Sequence, residues 1–293
     1  MSPKTVLITG SSSGFGLSLV HHFLNKGHNV IATSRNPSRT PDEVSAVDKH
    51  ASGNGRWLQL DVTSPRDKID STIAEASKIF GPIDILINNA GYSVMGAVED
   101  IDEAKAKTQF ETNYWGVFRM CRAVLPSMRD RKTGTIVNVS SIGGLDCLAT
   151  SGVYGGSKFA LEGLSESLAH EVASFNIRVL IVEPGAFRTN FLSATAMQPH
   201  PASEPYKGTI VEKVNEIFKA MEGKQKGDTE KGVARIYDVV MGEGVGKGYE
   251  KWLRLPIGSD CFERGTKALQ AKLDNIKALE EVARSTDFDT EIN

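Results

Sequence analysis

"TVLITGSSSGFG", residues 5 to 16, is the stretch that decides the fold. Its first residues are apolar or β-branched and predict a buried strand, after which glycines at 10, 14 and 16 lead into an amphipathic helical pattern. Gly10 permits the turn, Gly14 lets the backbone approach a pyrophosphate, and Gly16 allows the helix to pack closely on the strand. The stretch therefore predicts a turn that presents a helix N-terminus to phosphate, with a purely structural turn as the alternative.

The same alternation of short β-branched runs and helical periodicity continues to about residue 183. We predict strands at 5–9, 29–34, 57–62, 83–88, 134–140 and 177–183, helices near 14–26, 66–80, 103–130 and 153–174, and an ambiguous stretch around 40–50. Several strands are apolar on both faces, as a parallel sheet covered by helices on each side requires. The predicted fold class is α/β, a doubly wound parallel sheet (Rossmann fold), whose ligands bind beyond the carboxyl ends of the strands.

Beyond residue 184 the alternation loosens. Helices are predicted near 207–221, 229–241 and 260–284, with a strand near 251–255. Because there is no internal repeat and no low-complexity linker, we predict one domain over residues 1–293. It would comprise a core over 4–190 and, over 190–293, a substrate loop followed by a C-terminal helical elaboration.

The composition argues against several function classes. A formal net charge of −2 offers no field for holding nucleic acid. No apolar run reaches the roughly 20 residues that cross a bilayer, and the N-terminus lacks a signal-peptide layout. Cys121, Cys147 and Cys261 form no CxxC pair, and the histidines form no metal-binding motif. We expect a cytoplasmic protein with no metal site and no integral membrane segment.

The end of the second predicted strand indicates which dinucleotide fits. A site for NAD places an acidic residue there, whereas a 2′-phosphate requires a cation. This sequence has Ser34 at that position and Arg35 next to it, and Ser13 of the glycine loop can add a hydroxyl. Since the arginine fork pairs well with phosphate, the prediction is NADP(H); a solvated surface arginine is the alternative.

Several short motifs follow one another in a familiar order. They are TGxxxGxG at 9–16, Asp61 after the third strand, "NNAG" at 88–91, Asn113, Ser141, Tyr154-x-x-x-Lys158, and "PGAFRT" at 184–189. Together they resemble a classical short-chain dehydrogenase/reductase over residues 5–190. The stretch from "SIGGL" to "VYGGSKFALEGLSESL" is similar to the branch of 17β-hydroxysteroid and retinol dehydrogenases. The sequence departs from the family at Phe15, where Ile is usual, and at Gly155-Gly156, where a small residue and Ala are usual.

The resemblance implies a catalytic set of Asn113, Ser141, Tyr154 and Lys158. Tyr154 would exchange a proton with the substrate oxygen, and Ser141, favoured over Ser140 by its spacing from the tyrosine, would hydrogen-bond that oxygen. Lys158 would hold the nicotinamide ribose, and Asn113 would sustain a water-linked proton path. Four residues along a helix return to the same face, so the ammonium lies beside the phenol. That ammonium and an oxidised nicotinamide ring would both lower the pKa of the phenol.

The resemblance also implies the cofactor site. Asp61 and Val62 would meet adenine, residues 89–91 the adenosine ribose, and Phe187 and Thr189 the nicotinamide amide. The full predicted cofactor set is Gly10, Ser12, Ser13, Gly14, Phe15, Gly16, Ser34, Arg35, Asp61, Val62, Asn89, Ala90, Gly91, Tyr154, Lys158, Phe187 and Thr189.

The loops after predicted strands four to six carry few charges and many apolar side chains. These are Tyr92, Met95, Leu145, Cys147, Leu148, Phe187, Phe191, Leu192 and Met197. Such a wall predicts a lipophilic ketone or alcohol that is steroid-, retinoid- or polyketide-like, although core packing of the same loops is an equal alternative.

The first functional hypothesis is therefore an NADP(H)-dependent oxidoreductase, a carbonyl reductase that transfers a hydride between the nicotinamide and this substrate. One alternative is an enzyme of the same fold that catalyses a non-redox isomerisation, epimerisation or cyclisation. Another is a non-catalytic dinucleotide-binding sensor, against which the Ser-Tyr-Lys set counts. By resemblance, a homodimer or homotetramer would form through the two long helices predicted at 103–130 and 153–174.

Overall fold

The β-branched runs of the sequence form a parallel sheet in the computed structural model, which describes residues 2–192 and 196–288, with Leu192 described by its backbone alone. The described strands are β1 (Thr5–Ile8), β2 (Asn29–Ser34), β3 (Gly55–Gln59), β4 (Ile85–Asn88), β5 (Ser93–Met95), β6 (Gly134–Val139), β7 (Ile177–Pro184), β8 (Met197–Pro199) and β9 (Arg254–Ile257). Seven of them form the sheet, in the order β3-β2-β1-β4-β6-β7-β9. Strands β5 and β8 pair separately as a small parallel ribbon.

Helices connect the strands and cover both faces of the sheet. They are α1 (Gly14–Asn25), α2 (Pro41–Asp48), α3 (Arg66–Phe80), α4 (Glu103–Phe110), α5 (Val117–Arg131), α6 (Gly152–Val172), α7 (Ile210–Met221), α8 (Thr229–Met241), α9 (Ser259–Ala278) and α10 (Glu280–Arg284). None of the helices in the described ranges combines the length and apolar character that a membrane span needs.

Alternate side chains of each strand pack on opposite faces of the sheet, as a two-residue period requires. Val6 and Ile8 of β1 pack with α1 and α8, whereas Leu7 packs with α3, α5 and α6 on the other side. Each of these three side chains is fully buried. Burial of such a side chain contributes about 2 kcal/mol to the free energy of unfolding, so both layers stabilise the same sheet.

The predicted fold class is confirmed, and the structure adds detail that the sequence pattern did not give. The helix predicted at 103–130 is divided into α4 and α5 by a wider π-helical turn, Glu111–Gly116. The ambiguous stretch around 40–50 contains helix α2. The strand predicted near 251–255 is β9, which pairs with β7 and extends the sheet.

Candidate active site

The sheet reverses its strand order between β1 and β4, and a crevice opens there at the carboxyl ends of the strands. Its volume is about 1320 Å³. All of the predicted site residues line this crevice except Asn113 and Gly16, which lie behind its wall. A single cleft therefore brings together loops that are more than 150 residues apart in the chain.

The glycine loop after β1 leaves no room for a side chain at Gly10 or Gly16. Gly10 has φ +68°, and a Cβ added to it would lie 2.8 Å from the Cα of Ala90. A Cβ on Gly16 would lie 2.2 Å from the Gly10 carbonyl oxygen. Asn89 fastens the loop by donating from Nδ2 to the carbonyls of Thr9 and Gly10, at 3.0 and 3.1 Å. Gly16 and Asn89 thus fix the shape of this cradle, the glycine loop over residues 10–16.

Helix α1 begins directly after this cradle. Ser13 precedes it in extended conformation, and its hydroxyl caps none of the described N–H groups of the first turn. Ser12, Ser13 and Gly14 all line the crevice. An uncapped helix N-terminus carries a partial positive charge and free donors, which is the arrangement that receives a phosphate.

Two cations stand at the end of β2. Arg35 and Arg39 are exposed and line the crevice, and none of the described carboxylates forms an ion pair with either. The Ser34 hydroxyl is buried and accepts a hydrogen bond from the Trp57 indole at 3.1 Å. Arg35 was predicted from the sequence, but Arg39 was not, and a one-turn helix brings Arg39 back to the same wall of the crevice.

The loop after β3 lines the crevice near the same two cations. Asp61 accepts hydrogen bonds from the backbone N–H of Thr63 at 2.9 Å and from its hydroxyl at 2.8 Å. Val62 is buried against the π-helical turn, where a Cβ on Gly116 would lie 2.7 Å from it. The carboxylate of Asp61 is therefore held in place by its own turn while it faces the crevice.

Tyr154, Lys158 and Ser141 meet where β6 ends against the first turns of α6. The Lys158 Nζ lies 5.8 Å from the centroid of the Tyr154 ring and donates to the Val139 carbonyl at 2.8 Å. Ser141 caps a short helical turn by accepting from the Gly143 N–H at 3.1 Å. A Cβ on Gly143 would lie 3.2 Å from the Tyr154 ring and 3.5 Å from the Ser141 Oγ, so this glycine lets the phenol and the serine approach.

Burial dominates the electrostatics of this group. It raises the pKa of Tyr154 to about 12, against which a hydrogen bond with Ser141 acts in the lowering direction. It lowers the pKa of Lys158 to about 8, while the carboxylate of Glu162 acts to raise it. The sequence predicted a lowered pKa for this phenol. With the groups of the protein alone, burial has the larger effect and the pKa is raised instead. At neutral pH the phenol of Tyr154 is therefore protonated, and Lys158 is charged in most molecules.

Asn113 is fully buried in the π-helical turn and does not line the crevice. It clamps the backbone of Tyr92, since its Oδ1 accepts from the Tyr92 N–H at 3.1 Å and its Nδ2 donates to the Tyr92 carbonyl at 2.9 Å. A Cβ on Gly91 would lie 3.2 Å from the Asn113 Oδ1 and 3.7 Å from the Lys158 Nζ. The asparagine and the lysine thus flank the same glycine.

Phe15 and Gly155, where the sequence departs from the family pattern, have structural partners. Phe15 packs edge-to-face on Phe187, with ring centroids 5.0 Å apart, and both rings lie over Gly232 of α8, where no Cβ would fit. Gly155 lies against Cys147, and a Cβ there would come 2.4 Å from the Cys147 Sγ. The larger side chain in each case is accommodated by a glycine on a neighbouring element.

The predicted apolar wall is correct in part. Tyr92, Met95, Leu148, Phe187, Phe191 and Met197 line the crevice. Leu145 and Cys147 do not, and their prediction was wrong. Leu145 packs with Ile142 and Cys261, and the Cys147 thiol points to Gly155 and the Ser151 carbonyl. The side chain of Leu192 lies outside the described part of the chain.

Helix α7 supplies a wall that the sequence analysis missed. Its apolar residues Val214, Ile217, Phe218 and Met221 line the crevice. Their helical spacing was available in the sequence, but the spacing does not say which cavity the face covers. Gln225, just beyond the helix, is only 2% exposed and lines the same wall, and neither polar atom of its amide has a described partner.

The family model for short chain dehydrogenase matches residues 4–199. The chain belongs to the short-chain dehydrogenase family. The predicted family is thereby confirmed.

Among curated relatives, 3-ketodihydrosphingosine reductase of Bacteroides thetaiotaomicron is 44% identical over 194 residues, 65% of this chain and 66% of that protein. Retinol dehydrogenase 8 of Homo sapiens is 39% identical over 212 residues, 70% of this chain and 67% of that protein. The chain thus matches about two thirds of the length of these two relatives. The similarity to retinol dehydrogenase 8 also bears out the retinol dehydrogenase-like branch.

Solved structures match most of the chain, including its C-terminal part. A short-chain dehydrogenase from Streptomyces avermitilis superposes with a TM-score of 0.86 at 35% identity, covering 98% of this chain and 99% of that one. Serine dehydrogenase in its closed form with NADP+ gives a TM-score of 0.70 at 26% identity, covering 86% of this chain and 94% of that one. The first of these relatives includes the segment that carries α7 to α9.

Proposed function

We propose that this short-chain dehydrogenase is an NADP(H)-dependent oxidoreductase that reduces a lipophilic ketone, with Tyr154 as the proton donor. The observation that carries the proposal is the meeting of Tyr154, Lys158 and Ser141 at the glycine-lined crevice. The Lys158 Nζ lies 5.8 Å from the centroid of the Tyr154 ring, and Ser141 acts to lower the pKa of the phenol. A side-chain set with an acid, a cation and a hydroxyl is what proton transfer to a developing alkoxide needs.

The crevice residues fit a dinucleotide. The cradle tolerates no Cβ at Gly10 or Gly16, and the N-terminus of α1 is uncapped, so a pyrophosphate would find close backbone and free N–H donors. Asp61 and Val62 would hold the adenine, and Thr189, whose side chain lies over Gly14, would hold the nicotinamide end together with Lys158. When bound, the nicotinamide supplies the hydride.

The remaining chemistry belongs to side chains of this chain. The phenol of Tyr154, whose pKa burial raises to about 12, is protonated at neutral pH, which is the form that donates to a carbonyl oxygen. Once the proton has left, the Lys158 ammonium stabilises the phenolate across the shared face of α6. Ser141 supplies a hydroxyl next to the phenol that can hydrogen-bond the same substrate oxygen. Asn113 keeps the Tyr92 loop, and with it Gly91, in place beside Lys158.

The cations at the end of β2 support NADP(H) over NAD(H). Arg35 and Arg39 both face the crevice without a described carboxylate partner. The structure of serine dehydrogenase, which is 26% identical to this chain, contains NADP+. A 2′-phosphate would give these guanidinium groups the charge-assisted partner that they lack.

The apolar wall supports a lipophilic substrate. Residues Leu148, Phe191, Met197, Phe218 and Met221 enclose the crevice from three different segments of the chain. Two curated relatives are named for a sphingoid ketone and for retinol, both of which are lipophilic. Burial of such a substrate would provide the binding energy that a wall of this composition can offer.

Replacement of the phenol tests the proton donor. In Tyr154→Phe we expect kcat for reduction of hydrophobic ketones by NADPH to fall by at least about 100-fold, because general acid catalysis is lost. The Kd of NADPH should stay close to that of the wild type. Tyr249→Phe removes an exposed phenol and serves as the control. Full activity in Tyr154→Phe would refute the assignment, and product formation without oxidation of NADPH would indicate a non-redox enzyme.

Replacement of the two arginines tests the cofactor. Arg35→Ala and Arg39→Ala should each raise the Kd of NADPH by about 10-fold or more and leave the Kd of NADH unchanged, because a charged hydrogen bond contributes about 1.5 to 3 kcal/mol. Arg56→Ala, which removes an exposed cation from β3, is the matched control. Tighter binding of NADH than of NADPH by the wild type would overturn the preference.

A further inference from the structure

A row of polar side chains continues inward from the active site along α6. Tyr154, Lys158 and Glu162 are four residues apart, so they share one face of the helix. The row passes from the half-buried phenol to a lysine that is 5% exposed and a glutamate that is 3% exposed. A buried carboxylate is costly unless its oxygens are satisfied, so its partners explain why it is tolerated there.

The end of β6 contacts this row residue by residue. The Val139 carbonyl accepts from the Lys158 Nζ at 2.8 Å, and the Ser140 hydroxyl donates to the Glu162 Oε1 at 2.6 Å. Gly144 in the following turn makes the approach possible, because a Cβ there would lie 1.9 Å from the same carboxylate oxygen. The last residue of β6 and the residue after it therefore fix the positions of the lysine and the glutamate.

The second oxygen of Glu162 is held from the C-terminal part of the chain. Arg254 of β9 donates from Nη1 to the Glu162 Oε2 at 2.6 Å and to Glu183, and from Nη2 to the Glu166 Oε1 at 2.6 Å. Glu183 is only 1% exposed, and burial together with the charge of Glu162 raises its pKa to about 7. Both oxygens of Glu162 thus have donors, one of them a full positive charge.

We propose that Glu162 is a positioning residue of the active site, whose carboxylate, held by Ser140 and Arg254, keeps the Lys158 amine charged beside Tyr154. This inference rests on the proposed function, because it concerns the lysine of the same site. It also gives the C-terminal segment a part in the chemistry, since β9 supplies the cation that allows the carboxylate to remain buried.

The charge of Glu162 opposes the effect of burial on the lysine. Burial lowers the pKa of Lys158 to about 8, and Glu162 is the charged group that acts in the opposite direction. Other groups around the pair come from β6, α6, the turn with Asn113, β7 and β9; they are Val139, Ser140, Tyr154, Glu166, Asn113, Glu183 and Arg254. Removal of the Glu162 charge should therefore lower the pKa of Lys158 further, although ionisation of Glu183 would return part of the lost charge.

Glu162→Gln tests the proposal, since it keeps the shape and a hydrogen-bond acceptor but removes the charge. The Lys158 Cε carbon-13 shift, assigned with Lys158→Arg, should titrate at least about one pH unit lower than in the wild type. The alkaline limb of kcat/KM should move the same way, with little change in KM for the ketone. Glu166→Gln is the matched control, because it removes the same charge from an exposed partner of the same arginine and should leave both readouts unchanged.

Each other outcome is decisive. An unchanged Lys158 titration in Glu162→Gln, or an equal shift in Glu166→Gln, overturns the proposal. If Glu162→Gln does not fold, Ser140→Ala retains the charge but releases the carboxylate from β6; a smaller shift in the same direction supports the proposal, and no shift overturns it. A wild-type chain that reduces no ketone while its Lys158 responds to Glu162→Gln contradicts the proposed function alone.

Discussion

Two adjacent glycines in the first turns of α6 differ in what surrounds them. A Cβ on Gly155 would lie 2.4 Å from the Cys147 Sγ, whereas a Cβ on Gly156 would lie 3.6 Å from the Phe110 ring, an ordinary contact. We expect Gly156→Ala to raise the free energy of unfolding by about 0.5 to 1 kcal/mol, because alanine has the better helix propensity. Gly155→Ala should lower it by about 1 to 3 kcal/mol through overpacking.

Urea unfolding of the two variants, compared with the wild type, measures this difference. Combining Gly155→Ala with Cys147→Ala provides the control, because removal of the thiol opens the space that the new methyl group needs. We expect the double variant to recover most of the stability that Gly155→Ala loses. A similar loss in Gly156→Ala would show that the first turns of α6 require glycine for a reason other than space.

At the scale of single residues, the sequence predicted those site residues whose direction follows from regular structure. Tyr154 and Lys158 share a face because a helix repeats every 3.6 residues, and Gly10 was predicted because only glycine suits its turn. Leu145 and Cys147 were placed wrongly because the direction of a loop side chain depends on tertiary packing. In this chain one packs on Cys261, 116 positions away, and the other on Gly155.

At the scale of elements, long periodic segments were predicted well and short or irregular ones were not. Strands β5 and β8 have three residues each, which is too short for an alternation to be seen. The π-helical turn at Glu111–Gly116 keeps the helical character of its neighbours, so a single helix was predicted. It nevertheless decides where Asn113 points, since a π-helical turn changes the phase of the residues around it.

The elements beyond residue 190 line the candidate site and hold one of its loops. Helix α7 forms one wall of the crevice, and Asp260 in the first turn of α9 accepts a hydrogen bond from the Ala186 N–H at 2.7 Å. That contact holds the loop after β7, where Gly185 leaves no space for a Cβ beside the same carboxylate. These contacts pair residues far apart in sequence, and for this reason no local pattern predicted them.

At the scale of the whole molecule, one guanidinium joins the C-terminal segment to the core of the sheet. Arg254 of β9 lies in ion pairs with Glu162 and Glu166 of α6 and with Glu183 of β7. Three carboxylates around one cation, two of them buried, leave an excess of negative charge. The structure answers this excess with a proton, since burial and the neighbouring Glu162 raise the pKa of Glu183 to about 7.

Because the pKa of Glu183 is higher in the folded chain than ordinarily, the free energy of unfolding should fall as pH rises. The pKa of Glu183 is about 7 in the folded chain and 4.5 ordinarily, so its stabilising contribution is fully present below pH 4.5 and is lost as pH rises through 7. Between pH 5 and 8 the wild type should lose about 2 kcal/mol of unfolding free energy through this group. Glu183→Gln stays neutral at both values, so urea unfolding should show a correspondingly smaller loss. Glu166→Gln removes only the smallest of the charges that raise this pKa, so it should stay close to the wild type. An equal loss in Glu183→Gln would mean that Glu183 is already ionised at pH 5 and that Arg254 alone balances the buried carboxylates.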